Sequence, residues 1–67
     1  MEASRAHPWK PKDYAIGTAV QVLWPDDGVW YDAKILEGKL GIHRIHYDGY
    51  GDEWDEWVGP DRIRSPQ

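Results

Sequence analysis

Glycine recurs about every ten residues from Gly17 onward, and no window between these breaks carries apolar residues at i, i+3, i+4 and i+7 over three turns. A chain so punctuated has no room for a long amphipathic helix. Its segments alternate instead, which is the period of a half-buried strand. In TAVQVLW (residues 18–24), Val20, Val22 and Trp24 share one face, and Ala19, Gln21 and Leu23 share the other. PDDG (residues 25–28) predicts a turn, because proline presets φ and Gly28 supplies a position with φ > 0. VWYDAKILE predicts a second strand with Val29, Tyr31, Ala33 and Ile35 on one face, and GKLG (residues 38–41) a second hairpin turn. IHRIHY predicts a third strand, DGYGD a loop, and EWDEWV a short fourth strand. GPDRIR predicts a single helical turn, with Pro60 preset for its start and Ile63 turned back to the core. The expected fold class is all-β: a small, strongly bent antiparallel barrel of four or five strands with a C-terminal helical turn. Its expected bounds are residues 14–64, after a flexible lead at 1–13 and before a tail at 65–67.

A 67-residue domain buries only about 60% of the surface its unfolded chain exposes, so its core is thin. The chain has no cysteine, which removes both a disulfide framework and a thiolate metal site. Large rings have to compensate: the sequence holds 5 Trp and 4 Tyr, and each ring can bury roughly 150–250 Å². Trp57, flanked by Glu56 and Val58, is the expected packed core ring, together with Ile63. Trp30 points opposite to Tyr31 and is expected to cover the other face of the sheet. Trp9 and Tyr14 are expected to pack where the lead crosses the barrel. His43 and His46 read as strand-surface or hydrogen-bonding residues rather than metal ligands, so no metal and no cofactor are expected.

Several function classes are disfavoured at once. The N-terminal MEASRAHPWKPKD has no apolar h-region, and no apolar run approaches the roughly 20 residues that span a membrane. An intracellular, reducing compartment is the resulting expectation. Ser4 and Ser65 are both terminal and lack a convincing histidine partner, and the carboxylates form a solvated run rather than a pair in an apolar pocket. An enzyme is therefore not expected. GYGDEW has glycines, but the acids beside them oppose anion binding.

HYDGYGDEWDEW (residues 46–57) remains, where rings and acids alternate. Ring faces attract a cation by roughly 0.5–2 kcal/mol each, and a methylated ammonium keeps its charge while losing hydration. The strand order brings Trp24, Tyr31, Tyr47, Tyr50 and Trp54 toward one end of a barrel, with Asp48, Asp52 and Glu53 as a candidate acidic rim and Asp55 and Glu56 fixing the strand turn. The net charge of −4 suits a basic partner better than a phosphate backbone. A nucleic-acid interface is the alternative, and it needs Lys10, Lys12, Lys34, Lys39, Arg44, Arg62 and Arg64 on one face. A protein-interaction scaffold with a filled ring cluster is a third.

The motifs together resemble the chromo-barrel (Tudor-knot) branch of the chromodomain and Tudor families, found in MRG-type proteins and MYST-type histone acetyltransferases. The matching residues are Gly17, Trp30-Tyr31-Asp32-Ala33-Lys34, His46-Tyr47-Asp48-Gly49-Tyr50, Trp54-Asp55-Glu56-Trp57-Val58 and Arg62-Ile63. The resemblance covers about residues 14–64. It implies a nuclear reader of methylated lysine on histone tails, working within a larger chromatin complex. Tyr31, Tyr47, Tyr50 and Trp54 match its cage positions, with Trp24 as a fifth wall, and Trp57 matches a core position. Departures are the short EGKLG connection, the lack of a basic surface and the absence of an effector domain.

Overall fold

The computed structural model describes residues 13–67. Expectations that fall on Trp9, Lys10, Lys12 and most of the lead lie outside the described residues. Five antiparallel strands form one sheet that curls into a half-barrel: β1 (Ala19–Trp24), β2 (Val29–Lys39), β3 (Ile42–Tyr47), β4 (Glu56–Val58) and β5 (Ile63–Arg64), in the order β4-β3-β2-β1-β5. Two short 3-10 turns, Asp52–Trp54 and Pro60–Arg62, precede β4 and β5. Among the described residues no helix is long and apolar enough to cross a membrane.

Alternation decides what the half-barrel encloses. Val20 and Val22 of β1, Ala33 and Ile35 of β2, Ile45 and Tyr47 of β3, Val58 of β4 and Ile63 of β5 are buried together, with Tyr14, Trp24 and Tyr31 packed against them. Full burial of one such aliphatic side chain contributes about 1.5–3 kcal/mol, so a handful sustains a domain this small.

The first hairpin closes as expected. Trp24 pairs with Val29, Gly28 stands at φ +68°, and its N–H donates to the Trp24 carbonyl at 2.9 Å. The second is tighter than the sequence suggests. Lys39 pairs with Ile42, so only Leu40 (φ +52°) and Gly41 (φ +85°) turn the chain, the backbone of a two-residue hairpin loop. Gly38 is thus a strand residue, not a turn residue. A β-carbon there would lie 2.9 Å from His43 Cδ2, so its role is to let β2 pass over that ring.

The parity of a strand settles two positions. Of the two roles expected for His43, hydrogen bonding holds and a place on the strand surface does not: it is 1% exposed, because it shares the inner face of β3 with Ile45 and Tyr47. Its Nε2 accepts the Tyr14 N–H at 3.0 Å, and the two rings meet edge to face at 5.3 Å. Trp57 is 43% exposed and no core ring: EWDEWV splits into a 3-10 turn and a three-residue strand, whose inward positions are Glu56 and Val58. Trp57 stands opposite Arg44 on the outer face. Trp30 covers that face as expected, half-buried beneath Arg64, whose guanidinium carbon lies 4.1 Å from the ring centroid.

Gly38→Ala is expected to destabilise the domain by about 1–3 kcal/mol, since the β-carbon presses on a buried ring that cannot swing away. Urea unfolding followed by tryptophan fluorescence measures this, and an unchanged midpoint refutes the packing account.

Candidate functional site

At one end of the half-barrel lies a cavity of about 190 Å³ lined by Trp24, Asp27, Tyr31, Tyr47, Tyr50 and Trp54. All five rings that the sequence brings forward as one group meet here. Each stands nearly perpendicular to the next. Trp54 meets Trp24 at 5.8 Å and 73°, and Trp24 meets Tyr47 at 5.8 Å and 79°. Tyr47 meets Tyr31 at 6.3 Å and 86°, and Tyr31 meets Tyr50 at 6.2 Å and 89°. The series therefore bends round the cavity like a horseshoe. Its two ends, Trp54 and Tyr50, are about half exposed, at 48% and 53%, while Tyr47 at its middle is 4% exposed and forms the floor.

Local backbone chemistry sets each wall. Trp24 ends β1, where the turn begins, and Tyr31 faces inward three residues after Gly28 closes that turn. Gly49 at φ +83° reverses the chain after β3, and the Tyr50 N–H donates to the Tyr47 carbonyl at 3.2 Å, which lifts Tyr50 beside the pocket. The 3-10 turn then holds Trp54, whose N–H donates to the Gly51 carbonyl at 3.1 Å.

The floor is held from behind. Tyr47 donates its hydroxyl to Glu56 Oε2 at 2.5 Å, and Arg62 Nη2 donates to the same oxygen at 2.8 Å. Arg62 Nε donates to the Leu23 carbonyl at 2.9 Å, which ties β1, β3, β4 and the last turn into one clamp. Burial, reinforced by the bond to Glu56, pushes the Tyr47 hydroxyl far above its ordinary titration range. Desolvation lowers the Arg62 guanidinium, but the bond to Glu56 and its charge outweigh that and raise it.

Asp27 is the site residue that sequence reasoning missed. Its place in the PDDG turn accounts for it at first sight, and its position four residues before Tyr31 across a tight hairpin is the available signal. Its Oδ1 accepts the Val29 N–H at 2.9 Å and its Oδ2 accepts the Tyr31 hydroxyl at 2.5 Å. The Tyr31 bond, with the Val29 N–H, holds this carboxyl below its ordinary value, while the same bond raises Tyr31.

None of the three expected rim acids lines the cavity. Asp48 is drawn away by Lys34, whose Nζ donates at 2.9 Å; Asp52 has a side chain 94% exposed; and Glu53 lies exposed on the 3-10 turn. His46 hydrogen-bonds as expected, with Nδ1 2.8 Å from Asp55 Oδ1. His46, Asp52 and Asp55 could each offer a metal-ligand atom within 4.8 Å of one another. The His46–Asp55 hydrogen bond accounts for the approach of those two, and Asp52 Oδ1 lies 3.5 Å from the same Nδ1.

A family model described as Tudor-knot, an RNA binding activity-knot of a chromodomain, matches residues 14–65. Among curated proteins, the chain is 44% identical over 45 residues to the chromatin modification-related protein EAF3 of Saccharomyces cerevisiae, covering 67% of this chain and 10% of that protein. It is 32% identical over 68 residues to the NuA4 complex subunit EAF3 homolog of Drosophila melanogaster, covering 84% of this chain and 16% of that one. It is 36% identical over 53 residues to the survival of motor neuron-related-splicing factor 30 of Xenopus tropicalis, covering 76% and 20% respectively. The chain thus spans at most about a fifth of the length of these relatives. No solved structure matches it significantly.

Two outcomes test this geometry. Glu56→Ala strands the Tyr47 hydroxyl and the half-buried Arg62 guanidinium, and should cost about 1–3 kcal/mol in chemical denaturation. Asp27 has a folded value below its ordinary 3.8, so its contribution to stability is in place above that value and fades as pH falls through the folded one. A carboxyl-detected NMR titration should place its midpoint below 3.8, and Tyr31→Phe should move the midpoint up toward it.

Proposed function

Because this chain belongs to the Tudor-knot family, of the chromodomain type, we propose that it is a non-catalytic reader module of chromatin that takes a methylated lysine of a histone tail into the ring-lined cavity. The observation that carries this reading is the horseshoe of five rings, each nearly perpendicular to the next, around an open volume of about 190 Å³. A methylated ammonium is tetrahedral and presents an apolar, positively charged surface in every direction. Walls set at right angles meet it from several sides, whereas a flat guanidinium calls for rings stacked in parallel. Tyr31, Tyr47, Tyr50 and Trp54 are the proposed cage, and Trp24 is its fifth wall. Asp27 adds a negative charge at the wall, and Asp48, Asp52 and Glu53 offer longer-range attraction to a basic tail.

The proposed setting is nuclear, in a larger chromatin complex reached through further parts of the protein; two relatives carry names that refer to chromatin modification or to the NuA4 complex. A nucleic-acid reading draws on the family description, which mentions RNA binding. The basic side chains favour it less. Lys34, Arg44 and Arg62 each face a carboxylate within 3 Å, Arg64 lies over Trp30, and the net charge is −4. A filled, non-binding cluster fits poorly with an open cavity.

Titration of isotopically labelled protein with histone-tail peptides, methylated and unmethylated at the same lysine, is the direct test. The indole signals of Trp24 and Trp54 should shift only with the methylated forms, with a Kd in the micromolar range or weaker, because ordering a flexible peptide offsets much of the contact energy. Trp54→Ala should abolish the shift; no methyl-dependent response in the native protein defeats the reading.

A further inference from the structure

We propose that Asp27 makes this cavity select ammonium heads that retain an N–H, with the dimethylated lysine the best match and the trimethylated form disfavoured. The inference rests on the methyl-lysine reading and sharpens it to a methylation state. Asp27 is the one acid in the cavity lining; the other lining residues are rings. It is also fixed. Its two oxygens take hydrogen bonds from the Val29 N–H and the Tyr31 hydroxyl, so the carboxylate cannot swing toward water without breaking both.

A carboxylate offers about four lone-pair sites, and these two donors occupy two of them. An acceptor therefore remains available toward the cavity. A dimethylammonium head carries a single N–H, which this acceptor satisfies through a charge-assisted bond while both methyls lie on ring faces. The trimethyl-lysine head, a quaternary ammonium, has no N–H. It strips water from the carboxylate and returns only a charge contact in its place. An unmodified ammonium has the opposite defect, since three N–H donors enter a cavity where the single carboxylate cannot serve them all. The monomethyl head falls between, with one donor left against a ring.

Two small cations isolate this effect from any peptide. Trimethylammonium, with one N–H, stands for the dimethyl-lysine head, and tetramethylammonium stands for the trimethyl-lysine head. NMR titration of the Trp24 and Trp54 indole signals should show trimethylammonium binding about five- to tenfold more tightly, the discrimination expected of one partly exposed charge-assisted hydrogen bond. In Asp27→Asn, with its fold checked by the amide spectrum, the ratio should fall toward one. Equal binding of both cations to the native protein, tighter binding of tetramethylammonium, or a ratio unchanged in Asp27→Asn overturns the selectivity and leaves the methyl-lysine reading standing. If neither cation moves the indole signals, the cavity takes no alkylammonium, and both the selectivity and the reading beneath it fall.

Discussion

One carboxylate oxygen, Oε2 of Glu56, receives both the Tyr47 hydroxyl and the Arg62 guanidinium, and the architecture hangs on that junction. Glu56 occupies an inward position of a three-residue edge strand, where a charged group is costly unless its partners are fixed. Here they are. Arg62 reaches across from the turn after β4 and bonds the Leu23 carbonyl, so the outermost strand on one side is linked to β1 near the other. Tyr47 turns the same junction into a floor, with its ring among the core side chains and lining the cavity.

That arrangement explains how a domain without cysteines keeps large rings partly open to solvent. The aliphatic core is small, and the rings add to it from one end, each leaning edge-on against the next. Such edge-to-face contacts contribute roughly 0.5–1.5 kcal/mol beyond area burial, so the horseshoe stabilises itself even while its inner surface stays accessible. Stability and accessibility come from the same five side chains.

Much of this was legible in the residues. Alternation places Val20, Val22, Ala33 and Ile35 inward, the PDDG turn closes where proline and Gly28 put it, and the strand order groups the five rings that line the cavity. The failures share a cause. The flanks of Trp57 and the family resemblance point it to the core, yet strand parity gives that place to the smaller Val58; the 3-10 turn at Asp52–Trp54 resets the alternation, and no periodicity shows such a reset. The polarity of His43 suggests the strand surface, while its parity with Ile45 and Tyr47 puts it inside. The turn propensity of Asp27 hides its second role beside the rings. Hydrogen bonds between a turn and the strand that follows it depend on three-dimensional closeness, which spacing along the chain only hints at.

The register of β5 carries a further consequence. Every wall of the cavity comes from residues 24 to 54, where β1, β2 and β3 pair with their immediate neighbours in the chain. The remaining closure joins Val22 to Ile63, nearly the two ends of the domain, and the entropy cost of shutting a loop grows with its length. The walls thus belong to the cheap, local part of the topology. The arginine that pins the floor belongs to the expensive, long-range part, so the geometry of the cavity is only as firm as the last few residues to find their place.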